Sequence, residues 1–204
     1  MSFCLERGLA LIVDEVFHGY PLPPAVPAAS FASADGVLTF VLGGLSKHLG
    51  LPQVKLAWTV VTGPKLRVVE AVERLAFVAD NYLSVGTPVQ LALRHLFREG
   101  ASVRREILGR CLRNLDALQA VVARVPGVSL VRPRAGWSVV LRFPSVVGEE
   151  QLALELLDEE GVAVHPGYFF DFTEEGYLVL GLLPEPQVFD EGVRRLLERI
   201  AGHL

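Results

Sequence analysis

The stretch GGLSKHLGLPQVKLAW, residues 43–58, sets Lys47 in a glycine-rich turn between two apolar runs. The Ser46 hydroxyl precedes it, and a second lysine, Lys55, follows eight residues on. Asp14 lies in an earlier apolar run, LIVDEVF. These side chains have complementary chemistry. A lysine sheltered from water offers its neutral amine for imine formation with a carbonyl. An aspartate beside a basic ring nitrogen keeps that nitrogen protonated by charge pairing. A hydroxyl and an ammonium group offer donors and positive charge to a phosphate. Each also has a plainer reading: a Ser-Lys pair in a loop as solvated surface, an Asp-Glu pair at a strand end as a cap or turn. Order and spacing, with the sequence between and after, favour the chemical reading.

Three apolar runs are expected to position these groups: GLALIVDEVF (8–17), GVLTFVLGG (36–44) and KLAWTVVTG (55–63). Each has the pattern of a strand buried on both faces. Buried parallel strands present their working residues at their carboxyl ends. Asp14, near the end of the first strand, and Lys47, just beyond the second, are therefore expected to face one crevice, with Ser46 and Lys55 toward a phosphate. Those are the needs of pyridoxal 5′-phosphate. PLPPAVPAAS (21–30) reads as a loop. The first three strands have no convincing helix between them, so their apolar faces lack local cover.

Downstream, Pro64 opens a helix to about Asp80, residues 81–90 form a loop, and Thr87-Pro88 starts another helix. A long helix over 103–125 carries apolar residues at helical spacing, with Arg104, Arg105, Arg110 and Arg113 as its solvated face. Strands are expected near 128–132, 137–143, 162–165 and 177–182, with helices over 149–160 and 186–204. The pattern divides into residues 1–100, holding the apolar strands, and 101–204, a smaller α/β unit entered through the long helix.

At 204 residues, 51% hydrophobic and with mean hydropathy +0.40, the chain is unusually apolar. No apolar run approaches the ~18–20 residues of a membrane helix, and no secretory signal pattern opens the sequence. The excess belongs to a core, an oligomer interface or a surface that something else covers. A net charge of −4, with arginines dispersed among acids, argues against nucleic-acid binding. Cys4 and Cys111 are isolated and the five histidines show no metal-ligand spacing, so a reducing cytoplasm is expected.

LIVDEVFHGY followed by LSKHLGLPQVKLAW, with 33 positions from Asp14 to Lys47, resembles the core of the class I/II aminotransferases, which are fold-type I pyridoxal-phosphate enzymes. NYLSVGTPVQLAL resembles their interface loop and helix. RPRAGWSVVLRFP, LLDEEGVAVHPGYFFDF and GYLVLGLLPEPQVFDEGVRRL resemble their small domain, in the right order. The resemblance implies a partial fold-type I α/β chain. Residues 1–100 would be the C-terminal portion of the cofactor-binding large domain, a remnant of its mostly parallel sheet, and 101–204 the small domain. It implies that Lys47 binds the cofactor's aldehyde and later carries the proton, that Asp14 pairs with the pyridinium nitrogen, and that Ser46 and Lys55 contact the phosphate. It further implies an amino acid and a 2-oxo acid as substrates, and either a homodimer or association with a missing N-terminal half. That missing part would bring the glycine-rich phosphate turn and the aromatic that stacks on the cofactor ring.

The departures from the family pattern are as informative. Phe17 stands where the family has a tyrosine that donates to the cofactor's phenolic oxygen, and Tyr20 is the nearest substitute. Gly44 stands for a phosphate-binding serine, and Lys55 for an arginine, which keeps the charge but loses the bidentate fork. Val179 stands where an arginine holds the substrate carboxylate, and an apolar side chain cannot hold one. Arg132, Arg134 and Arg142 are the candidates nearest in sequence. His48 reads as loop surface or packing rather than a second proton shuttle. His165 precedes a Pro-Gly turn near the family's substrate entrance. Trp58 and Trp137 read as core or interface, and Tyr168 to Phe170 as apolar packing at the small-domain edge. The expectation is an aminotransferase, incomplete in this chain. The alternatives are an inactive dimerisation or ligand-sensing remnant of the same fold, and a lyase or decarboxylase on the same cofactor.

Overall fold

The computed structural model describes residues 1–25 and 28–204; Val26 and Pro27, inside the loop expected over 21–30, lie outside the described residues. The chain divides into two compact units. One comprises Met1–Pro21 with Ala25–Arg105, the other Leu22–Pro24 with Glu106–Leu204.

The first unit opens with a one-turn helix α1 (Ser2–Glu6) and three strands, β1 (Leu11–Asp14), β2 (Thr39–Gly44) and β3 (Ala57–Thr62), in the order β1-β2-β3. The sheet is mixed: β1 runs parallel to β2, and β3 antiparallel to it. β1 is shorter than its apolar run because the chain turns away at once. The Val16 N–H donates to Asp14 Oδ1, His18 N–H to the Glu15 carbonyl, and Tyr20 N–H to the Phe17 carbonyl. The strands are apolar as expected but not buried on both faces within this chain, since Ile12 in β1 is 70% exposed and half of β3 is open. A short helix α2 (Leu45–His48) follows β2, and α3 (Lys65–Ala79) follows β3. No residue of α3 is buried, and Leu66 and Phe77 are 84% and 78% exposed. The unit's core gathers round Leu45, Leu49 and Leu56, with Trp58, Val89, Leu93 and Leu96 against them.

The two helices expected from Thr87 and over 103–125 are one helix, α4 (Thr87–Val122), of 36 residues. Gly100, between the two expected helices, is a packing site: a Cβ there would come within 2.8 Å of the Leu49 side chain. The division between the units falls inside this helix, after Arg105.

In the second unit β4 (Ser129–Val131), β5 (Ser138–Arg142), β6 (His165–Pro166) and β7 (Tyr177–Gly181) form an antiparallel sheet in the order β4-β5-β7-β6. Alternation along β5 and β7 turns Val139, Leu141, Leu178 and Leu180 to one face. There they meet Leu115 and Leu118 of α4, Leu152 and Leu156 of α5 (Glu149–Asp158), and Phe189, Leu196 and Ile200 of α6 (Pro186–His203) in one core. Pro186 sits in the first turn of α6, where a missing N–H is tolerated. Buried Asn114 donates to the carbonyls of Leu182 (3.0 Å) and Pro184 (2.9 Å), tying α4 to the turn after β7. Glu149, also buried, accepts the N–H groups of Tyr168 and Tyr177. Among the described residues no helix is long and apolar enough to cross a membrane.

Replacing Asn114 by alanine leaves two carbonyls without their donor. The expected loss is about 1–3 kcal/mol of unfolding free energy, read as a lower denaturation midpoint at unchanged slope.

Candidate active site

Parallel pairing of β1 and β2 sets their carboxyl ends side by side. Asp14, the last residue of β1, is in register with Leu42, two residues before β2 ends at Gly44 and turns into α2. Ser46 and Lys47, both half-buried, are the middle residues of that turn. The exposed Asp14 carboxylate is oriented by the Val16 N–H on its Oδ1 at 3.0 Å. Lys47 Nζ lies 5.9 Å from the centroid of the Phe17 ring, within cation–π range.

Lys55 closes the 3-10 turn Pro52–Val54, two residues before β3. The ladder pairs Gly44 with Ala57, and the Leu45 N–H at the start of α2 donates to the Leu56 carbonyl at 3.0 Å, so Lys55 adjoins the residue on which α2 begins. It is exposed and left-handed, φ 51°, a conformation that costs a non-glycine residue roughly 1 kcal/mol or more. Gly43 admits the Trp58 ring, which a Cβ there would meet at 2.5 Å.

His48 is half-buried. The Arg104 guanidinium contacts its Nε2 at 3.1 Å, and Phe97 and Trp58 flank its ring at centroid distances of 5.4 and 6.2 Å. Burial, and then the charges of Arg104 and His18, push its pKa below the ordinary 6.5. The arginines of α4 are accordingly not a uniform solvated face: Arg104 is half-buried against His48, and Arg113 forks onto Asp190.

Residues 1–200 match the family described as aminotransferase class I and II. The chain belongs to that family. Alanine aminotransferase of Mycobacterium tuberculosis is 27% identical over 197 residues, covering 94% of this chain and 46% of its own length. Glutamate-pyruvate aminotransferase AlaA of Haemophilus influenzae is 25% identical over 205 residues, covering 97% and 50%. The chain thus spans about half the length of the curated aminotransferases it matches. Among solved structures, LysN of Thermus thermophilus, an α-aminoadipate aminotransferase, superposes with a TM-score of 0.78 at 27% identity over 99% of this chain and 52% of its own. An aminotransferase of Escherichia coli has a TM-score of 0.83 at 20% identity, with 98% and 51% covered, a likeness that shows the fold. Fold and family are those the resemblance implied.

The donor set suits the aminotransferase cofactor: a carboxylate for a ring nitrogen, an amine for an aldehyde, and a hydroxyl and an ammonium for a phosphate. Asp14, Phe17, Ser46, Lys47 and Lys55 all fall in the first unit, round the carboxyl ends of β1 and β2. Tyr20 does not stand in for the missing family tyrosine. It is fully buried, and its hydroxyl donates to the His48 carbonyl at 3.3 Å. Val179 lies in β7 of the second unit, paired with Val140 and His165. Of the three arginines, Arg142 shares that sheet face, two residues from Val140, with its guanidinium 5.8 Å from the Tyr177 ring. Arg132 donates to the Pro23 carbonyl instead, and Arg134 is exposed in the loop before β5. Tyr168, Phe169 and Phe170 are exposed, with Phe169 and Phe170 beside His165, rather than packed inward. Arg104, Asn114 and Glu149 are the structural side chains that sequence reasoning passed over, and nothing in their local pattern distinguishes them from surface residues.

Two outcomes follow from this geometry. The unfolded chain takes up a proton on His48 near pH 6.5, whereas the folded chain resists until lower pH. Stability present above 6.5 is therefore lost as pH falls below it, and His48→Gln flattens that part of the profile. The carboxylates held low, among them Glu191 at about 2 through hydrogen bonds from Arg194 and Arg195, contribute only at still lower pH. Separately, Lys55→Gly removes about 1–2 kcal/mol of left-handed strain, offset by roughly 0.5–1 kcal/mol of added unfolded-state freedom, so the urea midpoint rises modestly.

Proposed function

We propose that this chain, completed by the further length its relatives carry, is a pyridoxal-phosphate aminotransferase moving an amino group between an amino acid and a 2-oxo acid. The observation that carries the reading is the parallel β1–β2 pair, which sets Asp14 and the Lys47 turn at neighbouring carboxyl ends, in the family's order. Residues 1–100 are read as the closing part of the cofactor-binding domain and 101–204 as the small domain.

When bound, the cofactor supplies an electron sink for bonds at the substrate's α-carbon. The chain's own residues then have distinct tasks. The Asp14 carboxylate holds a proton at the ring nitrogen by charge pairing. The Lys47 amine would hold the cofactor at its aldehyde carbon and would serve as the general base. Ser46 donates a hydrogen bond to the phosphate and Lys55 adds positive charge without a fork. Phe17 packs beside Lys47 and excludes water there, but brings no hydroxyl.

The relatives named for alanine and glutamate-pyruvate transfer support an amino acid and a 2-oxo acid as the exchanging pair. Val179 favours a second reading, a lyase or decarboxylase on the same cofactor, because no cation stands at that position to grip a substrate carboxylate. The exposed apolar residues of α3 and β1 support cover by a second copy or by the remaining part of the family fold. Two free cysteines support a cytoplasmic location.

An absorbance spectrum of the purified chain with pyridoxal phosphate, beside Lys47→Ala, tests the cofactor assignment. A near-ultraviolet or visible band that survives desalting, is fixed by borohydride and is missing in Lys47→Ala is the expected result. An identical band in Lys47→Ala would sink the reading.

A further inference from the structure

α2 is a single turn, too short for helical cooperativity to hold it. Its conformation rests on what its side chains grip. At about 100° per residue, Leu45, His48 and Leu49 share one side and Ser46 and Lys47 the other. Leu45 and Leu49 are buried, and His48 completes that inward face. A leucine at 48 would serve packing alone, whereas a histidine brings a directional contact.

That contact is specific. A guanidinium only donates, so Arg104 requires His48 Nε2 to be the acceptor, and the ring proton sits on Nδ1. Phe97 and Trp58, both edge-on, fix the ring plane, and the Tyr20 hydroxyl fixes the His48 carbonyl. Gly19 leaves room for the pair: a Cβ there would lie 3.3 Å from Arg104 Cδ and 3.7 Å from His48 Nδ1. The segment after β1, the strand β3 and the helix α4 therefore all converge on the residue covalently next to Lys47. His18 and Arg104 are the charged groups that bear on the ring.

We propose that His48, locked in its Nδ1–H form by Arg104, is a positioning residue that holds the one-turn helix so that the Lys47 amine presents a single orientation to an aldehyde. This rests on the reading of Lys47 as the cofactor amine.

Two measurements on the full chain test it. Long-range nitrogen–proton correlation spectra near pH 7.5, with the His48 signals assigned from His48→Gln, report the tautomer without altering the contact. An unprotonated Nε2 is expected, and an Nε2–H or a doubly protonated ring overturns the proposal. Pyridoxal phosphate is then trapped with borohydride and the label mapped among Lys47, Lys55 and Lys65. The native chain is expected to label Lys47 preferentially. Arg104→Met should lower that preference roughly tenfold, as a small misplacement of a reacting atom costs rate steeply, with far-ultraviolet circular dichroism unchanged. Arg104→Lys, which keeps a donor, should restore most of it. A preference unmoved by Arg104→Met overturns the positioning role alone. A native chain that does not favour Lys47 overturns the cofactor reading and the positioning role together.

Discussion

The pairing of two short parallel strands is the constraint on which the rest of the first unit depends. β1 contributes only four residues, yet their register against β2 decides that Asp14 ends beside the start of the Lys47 turn. A slip of one residue would turn every side chain of β1 to the opposite face. Parallel strands need a crossover, usually a helix packed on the sheet. Here the connection includes Leu22–Pro24, which belong to the second unit, where Leu22 is fully buried and its N–H donates to the Arg134 carbonyl. Among its described residues the crossover's helical segment is one three-residue 3-10 turn, Phe31–Ser33. So short a segment covers little of the sheet, and Ile12 stays exposed.

The two units differ in how far they satisfy their own sequences. In the second, alternation on β5 and β7 and helical spacing on α4, α5 and α6 deliver their apolar residues to one core. Polar groups caught there have partners, as Asn114 and Glu149 do. In the first, α3 has apolar residues at helical spacing and buries none of them. Exposed apolar surface of that extent is a cost in a chain standing alone and an interface in a larger assembly.

What was legible from sequence follows the same division. Most strands and helices of the second unit were readable because their periodicity is enforced by a core the chain itself supplies, but the strand expected near 162–165 is the two-residue β6 at His165–Pro166. That Asp14 and Lys47 lie at neighbouring carboxyl ends was readable because each stands at or just beyond the end of an apolar run with the pattern of a strand. The continuity of α4 was not legible from an apolar spacing that begins at Val103, while Gly100 in the same helix packs against Leu49. Arg104 was hidden because an arginine on an amphipathic helix looks solvated whichever residue lies opposite, and its partner His48 is 56 positions away. The antiparallel direction of β3 was hidden too, since an apolar run carries no sign of which way it pairs.

Folding and chemistry make separate demands on this chain, and the departures at Phe17, Gly44, Lys55 and Val179 fall on the chemical side. Each replaces a polar or forked group by one with less hydrogen-bonding capacity, and none disturbs a strand or a core. Val179 fits β7 between Val140 and His165 as well as any β-branched residue would. On the proposed reading, the groups kept, Asp14, Ser46 and Lys47, are those that would answer the ring nitrogen, phosphate and aldehyde of a cofactor, and the groups changed are those that would tune it and grip a substrate's carboxylate. Lys55 stands between the two sets. It keeps a positive charge in a left-handed conformation that glycine would adopt without cost, so the charge is retained against the local preference of the backbone.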